Sequence, residues 1–231
     1  MIHVFGQPDP PVPRLIDALA RRGRSIARPS AGGDPEGSVL VLGPCGELEP
    51  AALAVLLGAW RRAKRARVLV LSLVGAHRDA RAPRLKQLWE LEEQARGCGL
   101  PALTLRLAPL LGAESPLWLR LRSRPRLPRG GRTLLHPVLE VDALETIERA
   151  LDERAAWHGW YEVAGAEALS LAELAALARA AGPASRGADR GAWEPPLEEM
   201  MEHRLCESEP WCRHFGLKPG SVTAQAAGWA A

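Results

Sequence analysis

The sequence predicts an α/β chain built on a parallel sheet with helices on both faces. Three observations carry this. Residues 38–43 and 67–73 are short, nearly continuous apolar runs, the pattern of strands buried on both faces. Segments with apolar residues at helical spacing lie between such runs. Strand and helix alternate along the chain, an order that yields a parallel sheet with right-handed crossovers.

The elements follow in order. Residues 2–6 read as a first strand, and residues 12–22, with Leu15, Ile16, Ala18 and Leu19, as a helix. A short strand is expected at 25–28, then a Gly/Pro turn cluster at 29–37. After the strand at 38–43, a helix over 50–65 begins at Pro50 and carries Leu53, Leu56, Leu57 and Trp60. The strand at 67–73 leads to a helix over 83–97 that ends at Gly97 and Gly99, then a strand at 102–107. A helix at 142–156 and a strand at 160–163 extend the pattern. Ser170 and Glu173 form a capping box for a helix ending near Ala181. Residues 183–195 read as loop, 196–206 as a short helix, and the remainder as an irregular tail. The domain reading is one sheet domain over 1–182, with 183–231 as a small lid packed on it.

Composition sets outer bounds. The 231 residues suffice for one large core, and a net charge of +3 selects no partner. Four cysteines, at 45, 98, 206 and 212, are too few and scattered for a disulfide scaffold. No signal peptide and no membrane-spanning run is read, so a cytoplasmic protein is expected. Arginines cluster at 61–67 and 120–132. With no interleaved aromatics beyond Trp118, the second cluster does not indicate nucleic acid.

The turn after the first strand carries the sharpest signal. A dinucleotide-binding turn Gly-x-x-Gly-x-x-Gly starting at Gly6 needs glycine at 9 and 12, so that the backbone can approach a pyrophosphate. Asp9 and Val12 stand there, and Pro10, Pro11 and Pro13 each lack an N–H.

Residues 67–182 resemble the atypical short-chain dehydrogenase/reductase family, in particular its NmrA-like and epimerase-like members. The strand 68–74 with Ser72 resembles the family's strand ending in the active-site serine. Lys86 with Glu90 resembles its Lys-x-x-x-Glu helix, and Arg106 to Pro109 its Arg-x-x-Pro ending. His136-Pro137-Val138 before Val141-Asp142 resembles its Pro-Val…Val-Asp segment, and 160–165 before 170–174 its closing strand and helix. The resemblance implies a Rossmann-like fold. It also implies a tyrosine four residues before the lysine, as the proton donor whose pKa the lysine lowers. That position is Ala82, and the chain's only tyrosine is Tyr161. The family's third strand, which helps wall the adenine, has no counterpart between Arg28 and residue 38. Ser72, Ala82 and Lys86 are therefore vestigial positions. No cofactor is expected, with NADP as the alternative, held weakly through Gly6 and through Arg28 on a 2′-phosphate.

Two further groupings stand out. His203, Cys206, Cys212 and His214 offer zinc-type ligands, but in no standard finger spacing, so no metal is expected. Eight tryptophans stand against one tyrosine and two phenylalanines. Trp193, Trp211 and Trp229, with Arg122 and Arg126, form the expected surface for a protein partner or a second copy, since tryptophan and arginine dominate interface hot spots. The resulting expectation is a non-catalytic accessory or assembly factor. The alternatives are an NADP-dependent reductase or epimerase with a non-standard acid, and a small-ligand binder with a tryptophan-rich cleft.

Overall fold

Apolar runs of alternating valine and leucine form the centre of the sheet in this computed structural model, which describes residues 1–5, 10–29, 37–44, 50–63, 65–152, 156–182, 195–196 and 198–229. The calls on Gly6, Asp9, Cys45 and Trp193, most of the 29–37 turn and nearly all of 183–195 lie outside the described residues.

The chain divides into two compact units, Met1–Arg106 with Ile147–Tyr161, and Leu107–Thr146 with Glu162–Ala231. The principal sheet contains β1 (Ile2–Val4), β2 (Ile26–Ala27), β3 (Val39–Leu42), β4 (Arg67–Leu73), β5 (Ala102–Leu107) and β9 (Trp160–Val163). Its order is β2-β1-β3-β4-β5-β9. β1 runs parallel to β2 and β3, with Ile2 opposite Ile26 and Val39, and β3 runs parallel to β4, with Val39 opposite Arg67. Among the described residues no strand lies outside β2; the stretch between Arg28 and residue 37 is mostly outside them. β3 and β4 sit mid-sheet because Leu40, Leu42, Val68, Leu69, Val70 and Leu71 are buried on both faces.

Each helix of the first unit seats an apolar stripe. Helix α1 (Val12–Arg21) buries Val12, Leu15, Ile16 and Leu19. Helix α2 (Pro50–Trp60) buries Leu53, Leu56, Leu57 and Trp60, and stops five residues before its expected end. Helix α3 (Pro83–Gly97) matches its expected bounds and buries Leu85, Leu88, Leu91 and Ala95, together with Glu92.

The second unit holds what the sequence reading missed. β6 (Leu110–Leu111) pairs in parallel with β8 (Val138–Leu139), and β7 (Leu134–Leu135) pairs antiparallel with β10 (Leu169–Ser170). Helix α4 (Pro116–Arg122) takes in the start of the arginine cluster at 120–132, because Leu117, Trp118 and Leu121 are buried in the core. Helix α5 (Glu140–Leu151) starts earlier than expected and spans the boundary between the units. Helix α6 (Leu171–Ala180) carries the full capping box: Glu173 N donates to Ser170 Oγ at 3.1 Å and Ser170 N to Glu173 Oε2 at 2.7 Å.

The helix expected at 196–206 is corrected to a single turn, Glu199–Met201, followed by extended chain. There Arg204 N donates to Leu134 O at 2.8 Å, and strand-like pairing along β7 replaces further helix. The irregular tail is corrected to helices α7 (Glu209–Phe215) and α8 (Val222–Ala226). Among the described residues no helix is long and apolar enough to cross a membrane.

Candidate functional site

The topology itself locates a crevice. From β1 the chain passes to β2 on one side and then to β3 on the other. Where strand order reverses in this way, ligands bind outside the carboxyl ends of the strands. At those ends, Val4, Phe5, Arg28, Pro29, Ala52, Val55 and Leu56 line a cavity of about 310 Å³. Its described lining is mostly apolar and Val55 is 68% exposed, while Arg28, also exposed, is the one cation among the described lining residues. A flat, apolar-faced ring next to an anionic group fits such a lining.

Nearer β3, the first residue of α1 packs tightly against the residue just past β3. Val12 is 0% exposed, and a Cβ on Gly43, just past β3, would lie 2.9 Å from Val12 Cγ2. The small residue that permits close approach here is thus on the strand side. Pro11 caps α1 without a side-chain hydrogen bond, and Pro13 follows in the first turn. From the first turn of α3, Arg84 Nη2 donates to the carbonyl of Pro10. Sequence reasoning missed Arg84, because nothing local in the chain connects it to a turn so far upstream.

The positions of the expected chemistry do not combine. Ser72 is 0% exposed inside β4, and its hydroxyl has no hydrogen-bond partner among the described residues. Ala82 is the buried N-cap of α3, offering only its carbonyl, which accepts from Leu85 N at 3.0 Å and Lys86 N at 3.3 Å. Lys86 is exposed. Tyr161 lies on β9, and burial holds its hydroxyl above the ordinary tyrosine pKa, opposite to what a proton donor paired with a lysine requires.

The carboxylate of α3 that matters structurally is Glu92 rather than Glu90. Arg106 of β5 grips the buried Glu92 through Nε at 3.0 and 3.2 Å and Nη2 at 2.6 Å. Its guanidinium also lies 4.3 Å from the ring centre of Trp160, a cation–π stack. The Arg-x-x-Pro arginine therefore ties α3 to the sheet.

In the second unit the proposed partner surface is largely interior. Trp211 is 0% exposed and its Nε1 donates to Thr146 Oγ1 at 3.0 Å, which corrects its assignment as a docking residue. Arg122 is buried too, and its Nε donates to Gly182 O at 3.1 Å. Trp229 is half-buried, edge-on to the fully buried Trp118 at 4.8 Å. Arg126 is exposed, as are Arg124 and Arg132.

The four zinc-type ligands are not assembled either. His203 Nδ1 accepts from Leu134 N at 3.0 Å, and His214 packs edge-on against Phe215 at 4.7 Å. Burial, with Glu162 adding to it, pushes the Cys206 thiol up to about 12, far from the thiolate a metal needs. Burial likewise raises Cys212. Among the described residues no three His, Cys, Asp or Glu side chains converge on a metal-sized point.

Asp142, of the Pro-Val…Val-Asp segment, serves the fold. Burial raises its pKa, against the opposing hydrogen bond from Gly220 N at 2.8 Å. Gly165, just past β9, leaves no room for a side chain, since a Cβ there would sit 2.0 Å from Pro137 O.

No family model matches the sequence, and no curated protein is similar to it. Solved structures do share the fold. UDP-glucose 4-epimerase from Thermotoga maritima is 14% identical with a TM-score of 0.66, covering 99% of this chain and 96% of its own. Bordetella bronchiseptica WbmG, solved with NAD and UDP, is 14% identical with a TM-score of 0.64, covering 99% and 94%. A short-chain dehydrogenase/reductase superfamily protein from Agrobacterium tumefaciens with bound NAD is 15% identical with a TM-score of 0.61, covering 100% and 95%. The chain therefore shares the Rossmann-like fold of these structures.

These structures also correct the expectation that no cofactor is taken, since proteins of this fold were solved with NAD. The glycine turn is only one part of such a site; the described lining of the cavity at the carboxyl ends of β1 and β2 also includes Arg28, Pro29 and residues of α2.

Proposed function

We propose that the chain binds an NAD(P)-type dinucleotide through the cavity beside β1 and β2, and acts as an accessory subunit without tyrosine-dependent carbonyl reduction. The cavity supports the first half of this reading: apolar walls to hold an adenine, and Arg28 at the rim to favour a 2′-phosphate. Bound there, the cofactor supplies a hydride donor or acceptor. The observation that carries the second half is Ala82 at the N-cap of α3, with Ser72 enclosed in β4. Neither position can give a proton to a developing alkoxide. The exposed arginines Arg124, Arg126 and Arg132 form the surface that suits an acidic partner.

A second reading, a working epimerase or reductase with a non-standard acid, is favoured by the activities named for the similar folds. One experiment separates them. Titration with NADPH and NADH is run beside turnover assays on carbonyl and sugar-nucleotide panels. Saturable binding without turnover is expected, with Arg28→Ala weakening NADPH about tenfold, roughly 1.4 kcal/mol, and sparing NADH. Turnover that survives Ser72→Ala and Lys86→Ala would establish the second reading. Absence of nucleotide binding would remove both.

A further inference from the structure

We infer that Arg84 takes the place of the missing glycine turn as the group that holds the diphosphate of the ligand. This rests on the nucleotide-binding reading above. A glycine turn binds pyrophosphate because bare backbone lets several N–H groups converge on it. The sequence disfavours that route here: buried Val12 packs against Gly43 where the last glycine would stand, and prolines, which carry no N–H, occupy positions 10, 11 and 13. A diphosphate crossing the carboxyl end of β1 therefore needs another cation or donor set.

Arg84 is placed to supply one. It projects from the first turn of α3 and reaches the turn between β1 and α1, where its Nη2 donates to Pro10 O. A guanidinium stays charged at any physiological pH and presents its N–H groups in a planar, forked geometry that matches a phosphate. Arg84 makes other contacts as well, and a phosphate would join or exchange with them. Arg28 stands at the cavity and Arg84 at the turn, both in the first unit and both at the carboxyl side of β1. Together they suit a ligand with an anionic group at the adenosine and a diphosphate beyond it.

The rival role for Arg84 is purely structural, stapling α3 to the turn. Two ligands distinguish the roles by calorimetry: ADP-ribose, which carries the diphosphate, and adenosine 2′-monophosphate, which does not. In Arg84→Gln, ADP-ribose affinity falls at least tenfold while adenosine 2′-monophosphate affinity is unchanged. Arg84→Lys, keeping the charge but losing the fork, lies between. Should Arg84→Gln melt early, the Lys variant carries the same two-ligand comparison. Equal loss for both ligands, or unchanged or tighter ADP-ribose binding, overturns the assignment and leaves the nucleotide reading standing. Wild-type protein that binds none of NADH, NADPH or ADP-ribose overturns the nucleotide reading and this assignment with it.

Discussion

The carboxyl ends of β1 and β2 and the junction of β4 with α3 lie in the same unit but present different chemistry. The first region joins an apolar cavity to an exposed arginine. The second encloses Ser72, puts Ala82 at a helix cap and leaves Lys86 outside. Holding a dinucleotide requires shape and positive charge. Moving a proton requires a hydroxyl of tuned acidity within reach of the reacting atom. These demands fall on different elements, so one region can lose its hydroxyls while the other keeps its cavity.

The contrast depends first on how α3 is seated. Glu92→Ala would leave the Arg106 guanidinium beside an emptied, buried site. We expect a loss of about 3 kcal/mol in folding stability by chemical denaturation. A loss under about 1 kcal/mol would mean that other contacts hold the junction, and that the enclosure of Ser72 and Ala82 does not depend on this pair.

The crevice side can be probed by size. Gly43→Ala places a methyl 2.9 Å from a buried Val12 methyl. The expected cost is about 1–2 kcal/mol, shrinking markedly in a Val12→Ala background. A double-mutant cycle measures the coupling. Strict additivity would show that the two residues do not share the crevice and would reopen the turn as a direct phosphate site.

The smallest effect is a control outside both regions. Glu167, next to α8, would be raised by burial, but hydrogen bonds from Thr223, Ser221 and Val222 prevail and hold it below its ordinary 4.5. Thr223 N donates to it at 2.7 Å and Ser221 Oγ at 3.0 Å. A carboxylate with a depressed folded pKa adds stability above its unfolded pKa, and that stability is lost as pH falls through the folded value. Glu167→Gln should therefore be less stable than wild type at neutral pH, by a margin that closes on acidification below 4.5. Nucleotide affinity should not change. An altered affinity would link the second unit to the binding region and blur the comparison.

Much of the first unit was legible in the chain. The strands at 38–43 and 67–73 and the helix at 83–97 declared themselves through apolar runs and helical spacing. The second unit was harder, for identifiable reasons. The arginines of α4 masked an apolar stripe of Leu117, Trp118 and Leu121. Helices α7 and α8 are too short to hold themselves by propensity and form because Trp211, Phe215 and Val222 are buried. A turn signal was available at Gly216, whose φ of 62° and ψ of 33° end α7. At the site, Ala82, Arg28 and the missing glycines could be read directly, whereas Arg84 and Glu92 could not.

Alternation of strand and helix, the capping box at Ser170 and the absence of a tyrosine before Lys86 follow from residues near one another in the chain. Periodicity and capping act over a few residues, so chain order suffices to state them. Contacts between distant residues needed the folded molecule. Arg84 meets Pro10 across 74 positions, and Trp211 meets Thr146 across 65. Many partners are compatible with one arginine or one tryptophan, and packing selects among them. That selection packed Val12 against Gly43, buried the presumed docking tryptophan, and brought an arginine to the turn that lacks its glycines.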